Sequence, residues 1–84
     1  MAEEQVAVIV KFFAKPSVAA LQIEGRIRKG DTLRFKGHTT DFTQIVESME
    51  IDNKPVEEAG PGDLVGIKTI ERVRENDRVY KVEE

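Results

Sequence analysis

Gly60-Pro61-Gly62-Asp63-Leu64-Val65-Gly66-Ile67 decides the fold, because it joins a tight turn directly to a strand. Pro61 and Gly62 suit the i+1 and i+2 positions of a type II turn, where proline presets φ and glycine accepts a positive one. The same order recurs at Lys29-Gly30-Asp31-Thr32-Leu33 and at Glu75-Asn76-Asp77-Arg78-Val79. Each copy sets Gly or Asn, then Asp, just ahead of a strand. Gly30, Gly62 and Asn76 are expected to take positive φ at low steric cost, while Asp31, Asp63 and Asp77 accept hydrogen bonds from backbone N–H groups of their turns. These six residues are expected to be structural corners of a small β-barrel.

Between these corners the chain reads as short strands. Gln5 to Phe13 is rich in β-branched and aromatic residues and stops at Lys15-Pro16-Ser17, where proline removes a ladder donor. Val18 to Ile23 follows at hairpin distance. In Thr32-Leu33-Arg34-Phe35-Lys36 the alternation turns Leu33 and Phe35 to a core and Thr32, Arg34 and Lys36 to water. Between Phe42 and Ile51 the apolar parity changes at Ile45 and Val46, which requires a bulge or a bend. Leu64 to Ile70 and Arg78 to Val82 complete an antiparallel all-β barrel of about six to seven strands. The expected core is Val8, Val10, Leu21, Ile27, Leu33, Phe35, Met49, Val65, Ile67 and Val79. Val56-Glu57-Glu58-Ala59 is the one stretch expected to form a helical turn.

Eighty-four residues make a single domain, 1–84, too short for two cores. Hydrophobic residues at 39% and charged residues at 35% suit a soluble globular chain. The absence of cysteine removes disulfides, thiolate catalysis and Cys-ligated zinc. Met1-Ala-Glu-Glu carries no basic residue and the longest apolar run, Val6 to Val10, is five residues, so neither a secretion signal nor a membrane span is expected. The expected location is cytoplasmic, with no membrane partner. Of the 13 basic and 16 acidic residues, Glu3, Glu4, Glu83 and Glu84 sit at the ends, so that 1–4 and 83–84 are expected to be flexible acidic segments. Arg26, Arg28, Lys29, Arg34 and Lys36 face only Glu24 and Asp31 in the same stretch. That excess makes these five the expected RNA-binding residues.

Gly25-Arg-Ile-Arg-Lys-Gly-Asp31, Val46 to Ile51 and Ala59-Gly-Pro-Gly-Asp-Leu-Val-Gly-Ile67 together resemble the second-domain β-barrel of translational GTPases of the elongation factor Tu type. The resemblance spans roughly residues 18–82 and implies a translation-protein domain II fold. His38-Thr-Thr-Asp-Phe-Thr-Gln44, with Val46-Glu-Ser-Met-Glu-Ile-Asp52, looks closer still to free-standing elongation-factor-like proteins and to the C-terminal barrel of collagenase-like peptidases and related RNA-modification proteins. Two kinds of partner follow from it: RNA or a ribonucleoprotein, and, as the alternative, a larger peptidase-like or RNA-modification enzyme on which the barrel docks.

Catalytic chemistry is thinly supplied. Gly62 to Thr69 places Ile67 between Gly66 and Lys68 and so breaks the Gly-Lys-(Ser/Thr) order of a phosphate-binding loop, which excludes nucleotide binding there. Ser17 or Ser48 with His38 and Asp41 lacks any visible oxyanion hole. His38, the one histidine, would need Asp41 and Asp52 as unusual co-ligands, so no metal and no cofactor are expected. Adjacent pairs such as Glu57-Glu58 diverge on a strand and do not suit paired acid–base work. The expected function is therefore that of a non-enzymatic, translation-factor-like binding module.

Overall fold

The computed structural model describes residues 2–83. Ten strands follow in chain order: β1 (Ala2–Phe13), β2 (Val18–Ile23), β3 (Ile27–Arg28), β4 (Thr32–Lys36), β5 (Asp41–Ile45), β6 (Met49–Ile51), β7 (Lys54–Val56), β8 (Glu58–Ala59), β9 (Leu64–Lys68) and β10 (Arg78–Glu83). Eight of them form one antiparallel sheet in the order β5-β4-β10-β1-β2-β9-β6-β7, and β3 pairs with β8 in a second, two-stranded sheet. The count exceeds the expected six or seven because β3, β7 and β8 are only two or three residues long. Such short segments leave little periodicity to read. Val56 to Ala59 forms no helical turn but the end of β7 and the whole of β8.

The large sheet curls without closing into a continuous ladder. Its edges, β5 and β7, are not paired with each other. One side chain bridges part of the gap: the Gln44 amide donates from Nε2 to the Lys68 carbonyl at 2.8 Å and accepts at Oε1 from the Ile70 N–H at 2.8 Å. Gln44 thus treats the stretch after β9 as a backbone neighbour would.

The three Gly/Asn-Asp turns share one geometry. Gly30, Gly62 and Asn76 take φ of 97°, 91° and 73°. Each Asp donates its N–H to the carbonyl three residues back, Asp31 to Arg28, Asp63 to Gly60 and Asp77 to Arg74. Each carboxylate then accepts from that same residue's N–H, at 2.8, 2.8 and 2.9 Å. Every corner also grips one residue of another segment. Val46, Ile23 and Ile9 donate to the carbonyls of Asp31, Asp63 and Asp77 and accept from the N–H groups of Gly30, Gly62 and Asn76. Val46, Ile23 and Ile9 are each 1% exposed, so the corners fix three core side chains as well as three reversals.

This grip corrects the expected core at β1. Val8 is only half-buried and Val10 is 45% exposed, whereas Val6, Ala7 and Ile9 are buried. Two register shifts cause the change, one between Gln5 and Ala7 against β10 and one between Ile9 and Lys11 against β2. Plain alternation cannot show a bulge set by a distant corner. The other expected core residues, Leu21, Ile27, Leu33, Phe35, Met49, Val65, Ile67 and Val79, are all buried. The parity break at Ile45 and Val46 is a bend: β5 ends at Ile45, which is exposed, and Val46 turns into the core.

Glu3 and Glu4, expected as part of a flexible end, lie in β1 opposite Val82 and Lys81, and Glu83 pairs with Ala2. Met1 and Glu84 lie outside the described residues. Among the described residues no helix is long and apolar enough to cross a membrane.

Candidate interaction surfaces

The five cations singled out by their charge excess are divided between the two sheets. Arg28 lies on β3, Arg26 just before it and Lys29 just after, whereas Arg34 and Lys36 lie on β4. Their partners differ too. Arg26 and Arg28 both approach Glu58 Oε2 at 3.8 Å, in a setting exposed enough to contribute little. Arg34 is engaged more firmly: its guanidinium meets Asp41 through Nε at 3.0 Å and Nη2 at 3.1 Å, and Glu3 through Nη1 at 3.1 Å. Its pKa is raised by the Asp41 hydrogen bonds first and the Glu3 bond second. The same hydrogen bonds hold the Asp41 carboxyl below its ordinary value. A phosphate would have to displace two carboxylates to reach Arg34. Lys29 and Lys36 take part in no ion pair among the described residues.

His38 is exposed in the β4–β5 loop, beside Lys36, Arg78 and Tyr80 at a shallow depression. Asp41, the carboxylate suggested for it, is committed to Arg34. Among the described residues no group of three or more His, Asp or Glu gathers with metal-binding geometry. Ser17 Oγ donates to the Thr69 carbonyl at 2.8 Å, a structural tie between the β1–β2 turn and the end of β9.

A feature missed from the sequence is the outer face of β1, β2 and β9. Because Val65 and Ile67 point inward, Leu64, Gly66 and Lys68 point outward; because Ala19, Leu21 and Ile23 point inward, Val18, Ala20 and Gln22 do not. Register places Phe13 opposite Val18, and Ala20 opposite Gly66. The result is a groove with a floor of small residues, Ala20 and Gly66, walled by Phe13, Leu64 and Asp52. Val10, Phe13 and Leu64 are 45%, 44% and 52% exposed, three of the five large apolar side chains left in solvent among the described residues. The other two, Ile45 and Ile70, flank the Gln44 bridge. The signal for the groove lay in Ala20 and Gly66, small residues at the parity opposite to the core.

No protein-family model matches the chain. It is 42% identical over 77 residues, 90% of its length, to an uncharacterized protease of Methanocaldococcus jannaschii. It is 34% identical over 74 residues, 86% of its length, to a collagenase of Porphyromonas gingivalis. The chain is similar to part of collagenase-like proteases. It spans about a fifth of the length of these relatives, 19% and 20%. Among solved structures, the C-terminal domain of a Geobacillus thermoleovorans protein described as a candidate U32 peptidase superposes with a TM-score of 0.90 at 20% identity, covering 95% of this chain and 93% of that one. The fold is thus that of a C-terminal β domain, and the collagenase-like half of the sequence resemblance is supported. The translational-GTPase half finds no support in these relatives.

Proposed function

We propose that this chain is a non-enzymatic accessory domain that docks on the larger part of a collagenase-like, peptidase-related protein. The observation that carries the reading is the match of nearly the whole chain to about a fifth of two longer proteases. The outer groove supports it, because an apolar concavity in the middle of a sheet face suits a protein partner. A chimera tests it, with this chain in place of the matched 77 residues of the Methanocaldococcus jannaschii protease. The chimera is expected to resist limited proteolysis at the junction and the isolated chain to cleave no peptide. A freely swinging domain, or hydrolysis by the isolated chain, would contradict the proposal.

Contact with RNA is the second reading, resting on Lys29 and Lys36, which no carboxylate engages among the described residues. It is the weaker one, because Arg34 is held by Asp41 and Glu3. Titration of RNA at two ionic strengths separates the readings: contact through three to five phosphates gives a log–log salt slope of roughly −2 to −4. Loss of that binding on replacing Arg26, Arg28 and Lys29 with Ser would favour RNA.

A further inference from the structure

We infer that the seam between β5 and residues 68–70 is a strand-accepting site, that its occupant is an extended, uncharged segment of the larger part of the peptidase-related protein, and that the Gln44 carboxamide keeps the place of that segment in the isolated chain. The inference rests on the accessory-domain reading and adds a contact separate from the outer groove.

Residues 68–70 follow β9, and their backbone groups alternate in direction as a strand's do. Thr69 turns to one side, where its N–H donates to the Ser17 carbonyl at 2.9 Å and its carbonyl accepts from Ser17 Oγ at 2.8 Å. The Lys68 carbonyl and the Ile70 N–H turn to the other side, and both meet Gln44. A residue in a parallel ladder donates its N–H to one carbonyl and accepts at its C=O from the N–H two residues further along. The Gln44 side chain makes that same pair of bonds with the same chemical group, an amide. The seam is thus already filled by the equivalent of one peptide unit.

The facing edge is open as well. Gly37 donates to the Thr40 carbonyl and Val46 to that of Asp31, and alternation between these two fixed pairs turns the N–H and C=O of Thr43 and Ile45 away from β4. β5 ends the sheet order, so these groups meet no ladder partner among the described residues. The other sheet edge resists such an addition, because Pro55 stands at the centre of β7 with no N–H to give. The antiparallel pairings β5–β4, β4–β10, β10–β1, β1–β2 and β2–β9 leave β5 and β9 running in opposite directions. A segment parallel to residues 68–70 is therefore antiparallel to β5 and bonds to both.

Side chains and geometry also decide between occupants. Ile45 and Ile70, the two most exposed large apolar side chains among the described residues, wall the seam and favour an apolar side chain between them. The charged lining is Glu47 and Lys68, one of each sign, which gives a polyanion such as RNA no net attraction. A strand of a second copy is already bonded along one edge within its own sheet, so it can satisfy β5 or residues 68–70 but not both. A single extended segment with two unused edges satisfies both.

Hydrogen exchange followed by mass spectrometry, on the isolated chain and on the full-length chimera described above, supplies the test. In the isolated chain Gln44→Ala is expected to speed exchange of the Ile70 N–H by roughly tenfold through loss of its acceptor, and to leave the Thr69 N–H, held by Ser17, unchanged. In the chimera the same substitution should leave Ile70 protected, and the Thr43 and Ile45 N–H groups should exchange roughly tenfold more slowly than in the isolated chain. Thr43→Pro removes one outward N–H from an edge strand and should abolish that gain. Unchanged melting of the isolated variant confirms that its folding is intact, and the Gln44→Ala comparison stands without it. Ile70→benzoylphenylalanine in the chimera should photo-crosslink to a residue outside this domain. Seam amides that exchange equally in both proteins, with the junction still resistant to proteolysis, would overturn the inference and keep the accessory-domain reading. Unprotected seam amides together with a freely cleaved junction would overturn both. Protection that grows with the concentration of the isolated chain would identify a second copy as the occupant and overturn the inference.

Discussion

A methyl group at position 37 has nowhere to go. A Cβ built on Gly37 overlaps the Asp77 carboxylate, and Asp77 is 6% exposed and tied to the Arg74 N–H at 2.9 Å. The carboxylate cannot swing aside without abandoning its corner. Gly37→Ala is therefore expected to cost about 2–3 kcal/mol through overpacking, read as a lower denaturant midpoint. Gly66→Ala makes the contrast, because its Cβ would meet only Val18 Cγ1 at an ordinary 3.5 Å. It should change stability by less than about 0.5 kcal/mol. At Asp41 the issue is charge. Its carboxyl is held below the ordinary value by the Arg34 hydrogen bonds, so its contribution is present above the unfolded carboxyl's pKa and is lost as pH falls through the lower folded one. Melting curves of the wild type and Asp41→Asn should differ near neutrality and converge as the pH drops below the carboxylate range. A gap that persists or widens in acid would assign the effect to something other than ionisation.

Within the elements, β9 and β1 show how far alternation can be trusted. β9 alternates without interruption, so Val65 and Ile67 are buried at 1% each, opposite Leu21 and Ala19 of β2. Ile67→Ala should lose about 2–3 kcal/mol, the removed methylenes plus an incompletely collapsed cavity. β1 carries two register shifts, and the residue adjacent to Ile9, Val10, faces solvent. Val10→Ala should cost less than about 0.5 kcal/mol. Equal losses at Ile67 and Val10 in urea unfolding would show that β1 keeps simple alternation in solution.

At the scale of the molecule, the first strand lies at the centre of the sheet. β1 sits between β10 and β2, and Ala2 pairs with Glu83, so the two ends of the described chain meet in one ladder. Joining them by a short Gly/Ser linker and reopening the chain between Asp52 and Asn53 should give a protein that folds. That turn lies at the tip of the edge hairpin β6–β7, and both its residues are exposed. Reopening between Gly62 and Asp63 should instead cost cooperativity, because it severs the corner that grips Ile23. Circular dichroism with urea unfolding distinguishes the two permutants, and equal stability would deny the corners their role.

The β class and the three corners were legible in the sequence because both rest on local chemistry. Gly30, Gly62 and Asn76 accept positive φ where most residues resist it, and an Asp one position on reaches its own turn, whatever else the chain does. Eight of ten expected core residues followed from alternation within single strands. Val8 and Val10 were misplaced because Ile9 is turned inward by a corner almost seventy residues away, a constraint that no local window contains. The basic stretch was legible as charge but not as a surface, since the partners of Arg34, Glu3 and Asp41, reach it from β1 and β5. The outer groove depends on register across three strands, which places Ala20 beside Gly66 and sets Phe13 and Leu64 on its walls. Local chemistry fixed where the chain turns; long-range pairing decided which faces those turns bring together, because burial belongs to the assembled sheet and not to any one strand.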